Sequence, residues 1–272
     1  MIEMKKFFTH FTAAIGALSA LVTLISWLNS IASTCYVIIV SLVILLLSTG
    51  YATVQIWPKK KLSIQLQPAL KITIENGDLF EKKGVIVIPV NEYFDTIVDN
   101  KIIAENTVHG IFITKYFRTR IKDLDDKISD ALAGISPIEE TNRLPAKQKK
   151  YPLGTCASIS EGGNDYILLA FAHFDHNNHA HIETNEYETI IQGLMHNLEY
   201  IANNRPVYMP LFGTGQSGVP KTAQRILSYI LGSIDFNYPI SLPAGLNIVI
   251  KDITKHNINL SGIKDLWKVY KS

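Results

Sequence analysis

The segment Tyr208–Leu227, YMPLFGTGQSGVPKTAQRIL, carries an apolar run into Gly213-Thr214-Gly215-Gln216-Ser217-Gly218 and then Pro220, which sits where the first turn of a helix would begin. Glycines at this spacing let the backbone turn tightly and bring several amide donors onto one anion. The partial positive charge of a helix N-terminus adds to them. A diphosphate is the natural guest. No Lys-Ser/Thr pair follows the last glycine, so the loop is not a P-loop, and on this segment alone a plain strand-to-helix turn stays open. Two further apolar runs end in polar residues: Ile72–Glu75 leads into Gly77-Asp78-Leu79, and Val85–Val90 leads into Asn91-Glu92-Tyr93-Phe94. Ligands of open α/β sheets lie beyond the carboxyl ends of the strands. Asp78, Asn91 and the 213–218 loop are therefore expected to meet at one nucleotide cleft, although Asp78 taken singly is equally good as a turn former.

Other chemistry-bearing residues point elsewhere. His173, His176, His179 and His181 surround Asp175, but spacings of three, three and two with no cysteine nearby do not match a structural zinc pattern, so no metal is expected. Ser217 stands in GQSG, which is not a nucleophile elbow, and Cys156 has no recognisable histidine partner, so no catalytic residue is expected either. His109 opens a helical stretch and reads equally as a ligand contact or as an ordinary helix-start residue.

The elements that must position these residues follow from periodicity. Residues 62–66, 70–75, 84–90, 155–160, 166–172, 207–212 and 246–250 read as strands, several of them continuously apolar and so buried on both faces. Residues 109–133, 183–203, 220–233 and 260–270 read as helices. Alternation of this kind predicts a three-layer α/β sandwich. The segment 134–153, GISPIEETNRLPAKQKKYPL, reads as a surface loop whose charges are solvated.

Charge divides the chain in two. From Phe7 to Pro58 there is no Asp, Glu, Lys or Arg, while the chain after Lys61 holds 21 basic and 23 acidic residues, which excludes a basic nucleic-acid-binding domain. Phe7–Leu28 and Cys35–Trp57 are each long enough to cross a bilayer as helices, and the link NSIAST between them predicts an antiparallel hairpin. Lys5 and Lys6 before it and Lys59, Lys60 and Lys61 after it predict a multi-pass protein of the cell membrane with both termini in the cytoplasm. Cys35 and Cys156 fall on either side of the divide, as expected of a reducing compartment. The expected domains are 1–61, a transmembrane hairpin, and 62–272, a cytoplasmic α/β domain. Gly16 and Ala20, in small-xxx-small spacing, would allow self-association through the first span, unless that face packs only on the second.

Gly77-Asp78-Leu79, the run into Asn91-Glu92-Tyr93-Phe94, and Pro210–Gly218 resemble the three ordered signatures of macro domains, over about residues 65–270. The resemblance implies a three-layer α/β/α fold with a mixed sheet and an ADP-ribose ligand in place of a cofactor. It also implies that Asp78 accepts from the adenine amino group, that Leu79 gives a backbone contact there, that Asn91 bonds the distal ribose and that Gly213, Thr214, Gly215, Gln216, Ser217 and Gly218 wrap the diphosphate. Two departures fall at the distal-ribose end: residues 95–110, DTIVDNKIIAENTVHG, lack the usual glycine-rich run, and Ser217 replaces a common aromatic. They imply a pocket shaped for a ligand other than plain ADP-ribose. With two spans ahead of it, Thr107-Val108-His109-Gly110 and the run Tyr166–Ala180, the chain resembles the membrane-anchored ThsA effectors of type II Thoeris antiphage systems. That likeness implies a TIR-domain partner making a histidine adduct of ADP-ribose, binding near His109, homo-oligomerisation on activation and damage to membrane lipid. Membrane-tethered ADP-ribosyl hydrolase and ADP-ribose-binding anchor are the alternatives.

Overall fold

The computed structural model describes residues 2–28, 34–57, 59–139, 143, 145–175, 177–215, 221–236 and 239–270. The chain forms two compact units, Met1–Lys59 and Lys60–Ser272.

The first unit consists of α1 (Ile2–Leu28) and α2 (Thr34–Ile56). With no charged residue after Lys6, neither helix has a polar face in the ordinary sense, and sequestered positions are set by shape. His10 of α1 meets Tyr51 of α2 edge to face with ring centroids 6.3 Å apart, and Ser48 and Ala52 are fully buried. The hydroxyls of Thr9, Thr12, Thr49 and Thr53 each donate to a carbonyl one turn back, so they add little polar cost to the helix surface. Ala13, Gly16, Ala17 and Ala20 are exposed, and the space where a Gly16 side chain would lie is open. The small residues of α1 thus do not serve only its packing on α2. The stretch Ile38–Gln55 of α2 is long and apolar enough to cross a membrane by length and composition.

The second unit runs β1 (Lys61–Gln67), β2 (Leu70–Asn76), β3 (Val85–Asn91), α3 (Val108–Tyr116), α4 (Ile121–Leu132), β4 (Ile138–Glu139), β5 (Lys149–Lys150), β6 (Cys156–Glu161), β7 (Asn164–Phe174), β8 (Ala180–His181), α5 (Glu186–Ile201), β9 (Val207–Pro210), α6 (Ala223–Phe236), β10 (Leu242–Ile250) and α7 (Leu260–Tyr270). The main sheet has the order β1-β2-β10-β9-β3-β7-β6, with β8 paired to β7. β2, β10, β9, β3 and β7 are parallel, and β1 and β6 close the edges antiparallel, so the sheet is mixed.

Alternation along each central strand divides the core. Val85 and Val87 of β3 join Ile190, Leu194 and Leu198 of α5 and Ile226, Leu227 and Ile230 of α6 on one face. Ile86, Ile88 and Val90 join Phe112 and Ile113 of α3 and Leu124, Ile128 and Leu132 of α4 on the other. Each fully buried aliphatic side chain of this kind contributes about 1.5–3 kcal/mol. The continuous apolar runs seen in the sequence are the signature of this two-sided burial.

Two expectations change. The single helix foreseen over 109–133 is two, parted at Phe117–Arg120, because α3 covers β3 while α4 lies over β6. The segment 134–153 is not merely a solvated loop: β4 and β5 pair within it, and the Arg143 side chain is only 7% exposed, ion-paired to Asp95 at 3.1 Å.

Candidate ligand cleft

The five parallel strands share one direction, so their carboxyl ends lie along one edge of the sheet. From β3 the chain crosses to β7 on one side, and from β7 it returns to β9 and β10 on the other, which makes the gap between β3 and β9 the topological switch point. A cavity of about 470 Å³ opens there. Its wall is built from Pro89–Asn91 at the end of β3, Ile102–Ala104 and Asn106–His109 leading into α3, the end of β7 with Ala180 of β8, Pro210–Gly215 from the last residue of β9 onward, and His256 beyond β10. No Asp, Glu, Lys or Arg stands among the described lining residues.

The glycine loop starts where β9 stops. Gly213 has φ +88°, and a Cβ there would lie 3.0 Å from the Tyr187 ring, so only glycine fits. Tyr187 in turn donates its hydroxyl to the Phe212 carbonyl at 2.8 Å, and Thr214 donates to the Leu211 carbonyl at 3.0 Å. Gly215 differs: among the described residues other than its chain neighbours, no atom lies within 4 Å of the place its Cβ would take. Gly215 lines the cavity. Gln216, Ser217 and Gly218 lie outside the described residues.

Asn91 is buried at the end of β3 and organises the turn that follows. Its Oδ1 accepts from the Tyr93 and Asp95 amides at 3.1 and 3.2 Å, and its Nδ2 donates to Asp95 Oδ2 at 3.0 Å. One Nδ2 hydrogen remains for a ligand. The turn holds Phe94 at φ +52°, a conformation disfavoured for a bulky residue and sustained here by burial against Tyr151. Asp95 is held from behind by Arg143 at 3.1 Å and by the Lys147 amide at 2.9 Å. The Arg143 guanidinium also lies 3.5 Å from the centroid of the Tyr93 ring and bonds Asn178 at 2.9 Å. One side chain thereby ties three loops together behind the cleft.

His109 stands on the wall in the first turn of α3. Thr107 caps that helix, accepting from the Gly110 amide at 3.0 Å, and Gly110 is required because a Cβ would meet the Ala104 carbonyl at 2.2 Å. His109 as a residue is 8% exposed. Burial first, and then the Lys147 ammonium, push its pKa down to about 3 against the opposing pull of the Asp95 backbone. At neutral pH the ring is uncharged.

Asp78 and Leu79 fall outside the cavity wall. Asp78 is exposed, and its Oδ1 accepts from the Phe80 amide at 2.8 Å, capping a 3-10 turn over Leu79–Glu81, while Leu79 is buried in the core. Nor do the histidines make a metal centre among the described residues. His173 is clamped between Glu92 and Glu186, both at 2.8 Å, while His179 pairs with Asp175 at 3.4 Å and His176 lies outside the described residues. Burial works against a charge on His173, but the two carboxylates outweigh it and raise the pKa. Cys156 is partly buried, and desolvation pushes its thiol up to about 12, far from a nucleophile. His256, Asp95 and Arg143 were not marked in the sequence. An aspartate four residues after a strand-end asparagine is a local signal for the first of the two charged residues, but His256 and Arg143 come from remote loops and have none.

The sequence model of the family described as Thoeris protein ThsA, Macro domain, matches residues 72–251. The Thoeris protein ThsA of Bacillus amyloliquefaciens (strain Y2) is 34% identical over 151 residues, which make up 53% of this chain and 49% of that protein, so the match spans about half of the relative. A mutant Oceanobacillus iheyensis macrodomain with ADPR has a TM-score of 0.52 at 15% identity, over 76% of this chain and 99% of its own. The same macrodomain with ADP has 0.50 at 15% identity, over 76% and 97%. These two likenesses show the macrodomain fold, and the family match takes in well over half of the chain. The chain belongs to the ThsA macro-domain family of Thoeris proteins.

Proposed function

We propose that the protein is a membrane-anchored effector of antiphage defence whose Lys60–Ser272 unit senses an ADP-ribose-derived signal. The observation that carries this reading is the cavity at the β3/β9 switch point, with a bare Gly215 in its wall and no charged side chain among its described lining. A diphosphate in such a place is held by backbone N–H groups, which the 213–215 turn supplies. Neighbouring strands are about 4.8 Å apart, so the ends of β2 and β3, three spacings apart, are separated by about 14 Å. A ligand with two ribosyl units joined by a diphosphate reaches that far, which lets Asp78 and Asn91 serve its opposite ends.

Binding without turnover suits the groups available. His109, with a pKa near 3, is a poor general base, and Cys156 is a protonated, partly buried thiol. The signal is a histidine adduct of ADP-ribose made by a TIR-domain partner, and its binding favours a homo-oligomeric state of the α1–α2 unit that breaches the cell membrane. To drive that change, the signal must bind the active state more tightly than the resting one. Titration calorimetry on the full chain in detergent micelles, with ADP-ribose and with the adduct, tests the sensor. Heats absent for both ligands would sink it, and recovery of a cleaved ligand would favour the hydrolase instead. In cells making the signal, depolarisation and dye entry are expected.

A further inference from the structure

His173 stands on β7 between Ala172 and Phe174, both of which line the cavity, and it makes two contacts that a neutral histidine cannot satisfy together. Its Nδ1 lies 2.8 Å from Glu92 Oε2 and its Nε2 lies 2.8 Å from Glu186 Oε1. Carboxylate oxygens only accept, and an uncharged imidazole has one N–H, so with a neutral ring one of these contacts would set lone pair against lone pair. Both are hydrogen bonds only when the three groups share one further proton. The imidazole is the strongest base of the three, and that proton makes it an imidazolium. The far oxygens of the carboxylates are occupied: Glu92 Oε1 accepts from the Phe174 amide at 3.3 Å and Glu186 Oε2 from the Glu183 amide at 3.0 Å. Among the described residues, His181 of β8 is the other titratable group against the ring, exposed to water and with its ring centroid 5.5 Å away. The charges farther out are paired elsewhere, Asp175 with His179 and Arg143 with Asp95.

Each carboxylate belongs to a different flank of the cleft. Glu92 follows Asn91 directly, and its backbone is tied on both sides, the amide to the Ala172 carbonyl and the carbonyl to the Tyr151 amide, both at 2.9 Å. Glu186 opens α5, and the next residue, Tyr187, gives its hydroxyl to the Phe212 carbonyl at 2.8 Å and brings its ring within 3.0 Å of the place of a Gly213 Cβ. Through these two arms the His173 ring joins the Asn91 turn after β3 to the start of the glycine loop after β9. We propose that His173, in its imidazolium form, is the positioning residue of the cleft: it fixes the spacing of those two flanks, so that nucleotide affinity depends on the proton it carries. This rests on reading the cleft as a nucleotide site, to which it adds regulation by pH. Burial opposes the charge on the ring and the two carboxylates outweigh it, so the proton is lost above the ordinary histidine range. As pH rises through that point one hydrogen bond becomes a repulsion, the flanks loosen and affinity falls. By linkage, a ligand that holds the flanks together tightens the hold on the proton by the same factor.

The test is titration calorimetry of the full chain in detergent micelles with ADP-ribose as the probe, from pH 6 to pH 9, in buffers of different ionisation enthalpy so that proton uptake is read together with affinity. The diphosphate of ADP-ribose stays fully ionised over this range, so the ligand brings no titration of its own. The unaltered protein should lose affinity about 5-fold or more as pH rises, and binding should take up part of a proton. Glu186→Gln should abolish both effects and hold its affinity at pH 9, because the glutamine amide donates to Nε2 of a neutral ring. His173→Gln, which can donate to one carboxylate only, should bind about 5-fold or more weakly at pH 6 and show no dependence on pH. His181→Gln should keep the profile of the unaltered protein. Affinity that is flat across the range, a fall that persists in Glu186→Gln and His173→Gln, or one that vanishes in His181→Gln overturns the proposal while the nucleotide reading stands. Failure of the unaltered protein to bind ADP-ribose at every pH overturns both. Where a variant does not fold, the unaltered protein decides, since binding without proton uptake anywhere in the range overturns the proposal.

Discussion

Replacing Arg143 with Met should cost about 3 kcal/mol of stability in the Lys60–Ser272 unit. The Arg143 side chain is 7% exposed and that of Asp95 1%, with their charged atoms 3.1 Å apart, so the substitution leaves a carboxylate in the interior without its counter-charge. Breaking a buried pair from one side generally costs about 3–5 kcal/mol. The low end applies because Asp95 keeps two neutral donors, Asn91 Nδ2 at 3.0 Å and the Lys147 amide at 2.9 Å. Methionine retains a flexible apolar stem against Tyr93, so lost packing adds little. For a unit of this size about 3 kcal/mol corresponds to a fall in Tm of roughly 6–12 °C. The assay is thermal unfolding of the full chain in micelles, followed by tryptophan fluorescence. Asp95→Asn combined with Arg143→Met should recover more than half of the loss, since no orphaned charge remains. A single-variant loss below about 1 kcal/mol, or strict additivity of the two substitutions, would refute the buried-pair argument.

Four further outcomes follow from the same geometry. Gly213→Ala should lose about 1–3 kcal/mol, from a strained φ of +88° and a 3.0 Å approach to Tyr187, whereas Gly215→Ala should unfold like the unaltered protein yet bind ADP-ribose at least about 10-fold more weakly by calorimetry. Gly110→Ala should cost about 1–3 kcal/mol, read from denaturant unfolding, because the new Cβ must displace the Ala104 carbonyl 2.2 Å away. Because the folded pKa of His109, about 3, lies below the unfolded value of 6.5, the unfolded chain binds more protons between them, and stability falls as pH drops below about 6.5, by at most about 1.4 kcal/mol per pH unit. His109→Gln should flatten that limb between pH 6.5 and 5. His173 has the opposite sign: its raised pKa contributes stability that is complete below the unfolded value and lost as pH rises through the folded one, so His173→Gln should flatten the alkaline side of the Tm–pH profile.

Most of the sheet was legible because strands buried on both faces must be apolar without interruption, as Val85–Val90 and Tyr166–Ala172 are. The loops were not, because their positions are fixed by single long-range contacts. Nothing near Arg143 marks it as buried, since its partner is Asp95 and its stacking partner Tyr93, some fifty residues earlier. Strand-end residues were legible in type but not in orientation: Asn91 does stand in the cleft, whereas Asp78, chosen by the same rule, turns its carboxylate onto its own backbone at Phe80. The two readings of Asp78 as ligand contact and turn former differ in geometry alone, which composition does not carry.

The proposed anionic ligand would enter a unit, Lys60–Ser272, whose 23 basic and 23 acidic residues leave it no net positive charge. Its buried carboxylates are paired away from the cavity lining: Asp95 with Arg143 behind the 91–95 turn, and Glu92 with the part-exposed His173, which also bonds the part-exposed Glu186. Each pair holds a wall segment in place while its own charge is cancelled at contact distance, and so projects little field into the cleft. Lining groups that are neutral, Asn91, Thr214 and His109, together with bare backbone at Gly215, leave selectivity to hydrogen-bond direction. A site built on lysines would take any polyphosphate and release it as salt rises. A site built on aimed neutral groups discriminates by which donor and acceptor a ligand presents, which is the property that the proposed sensor of one nucleotide derivative among many would need.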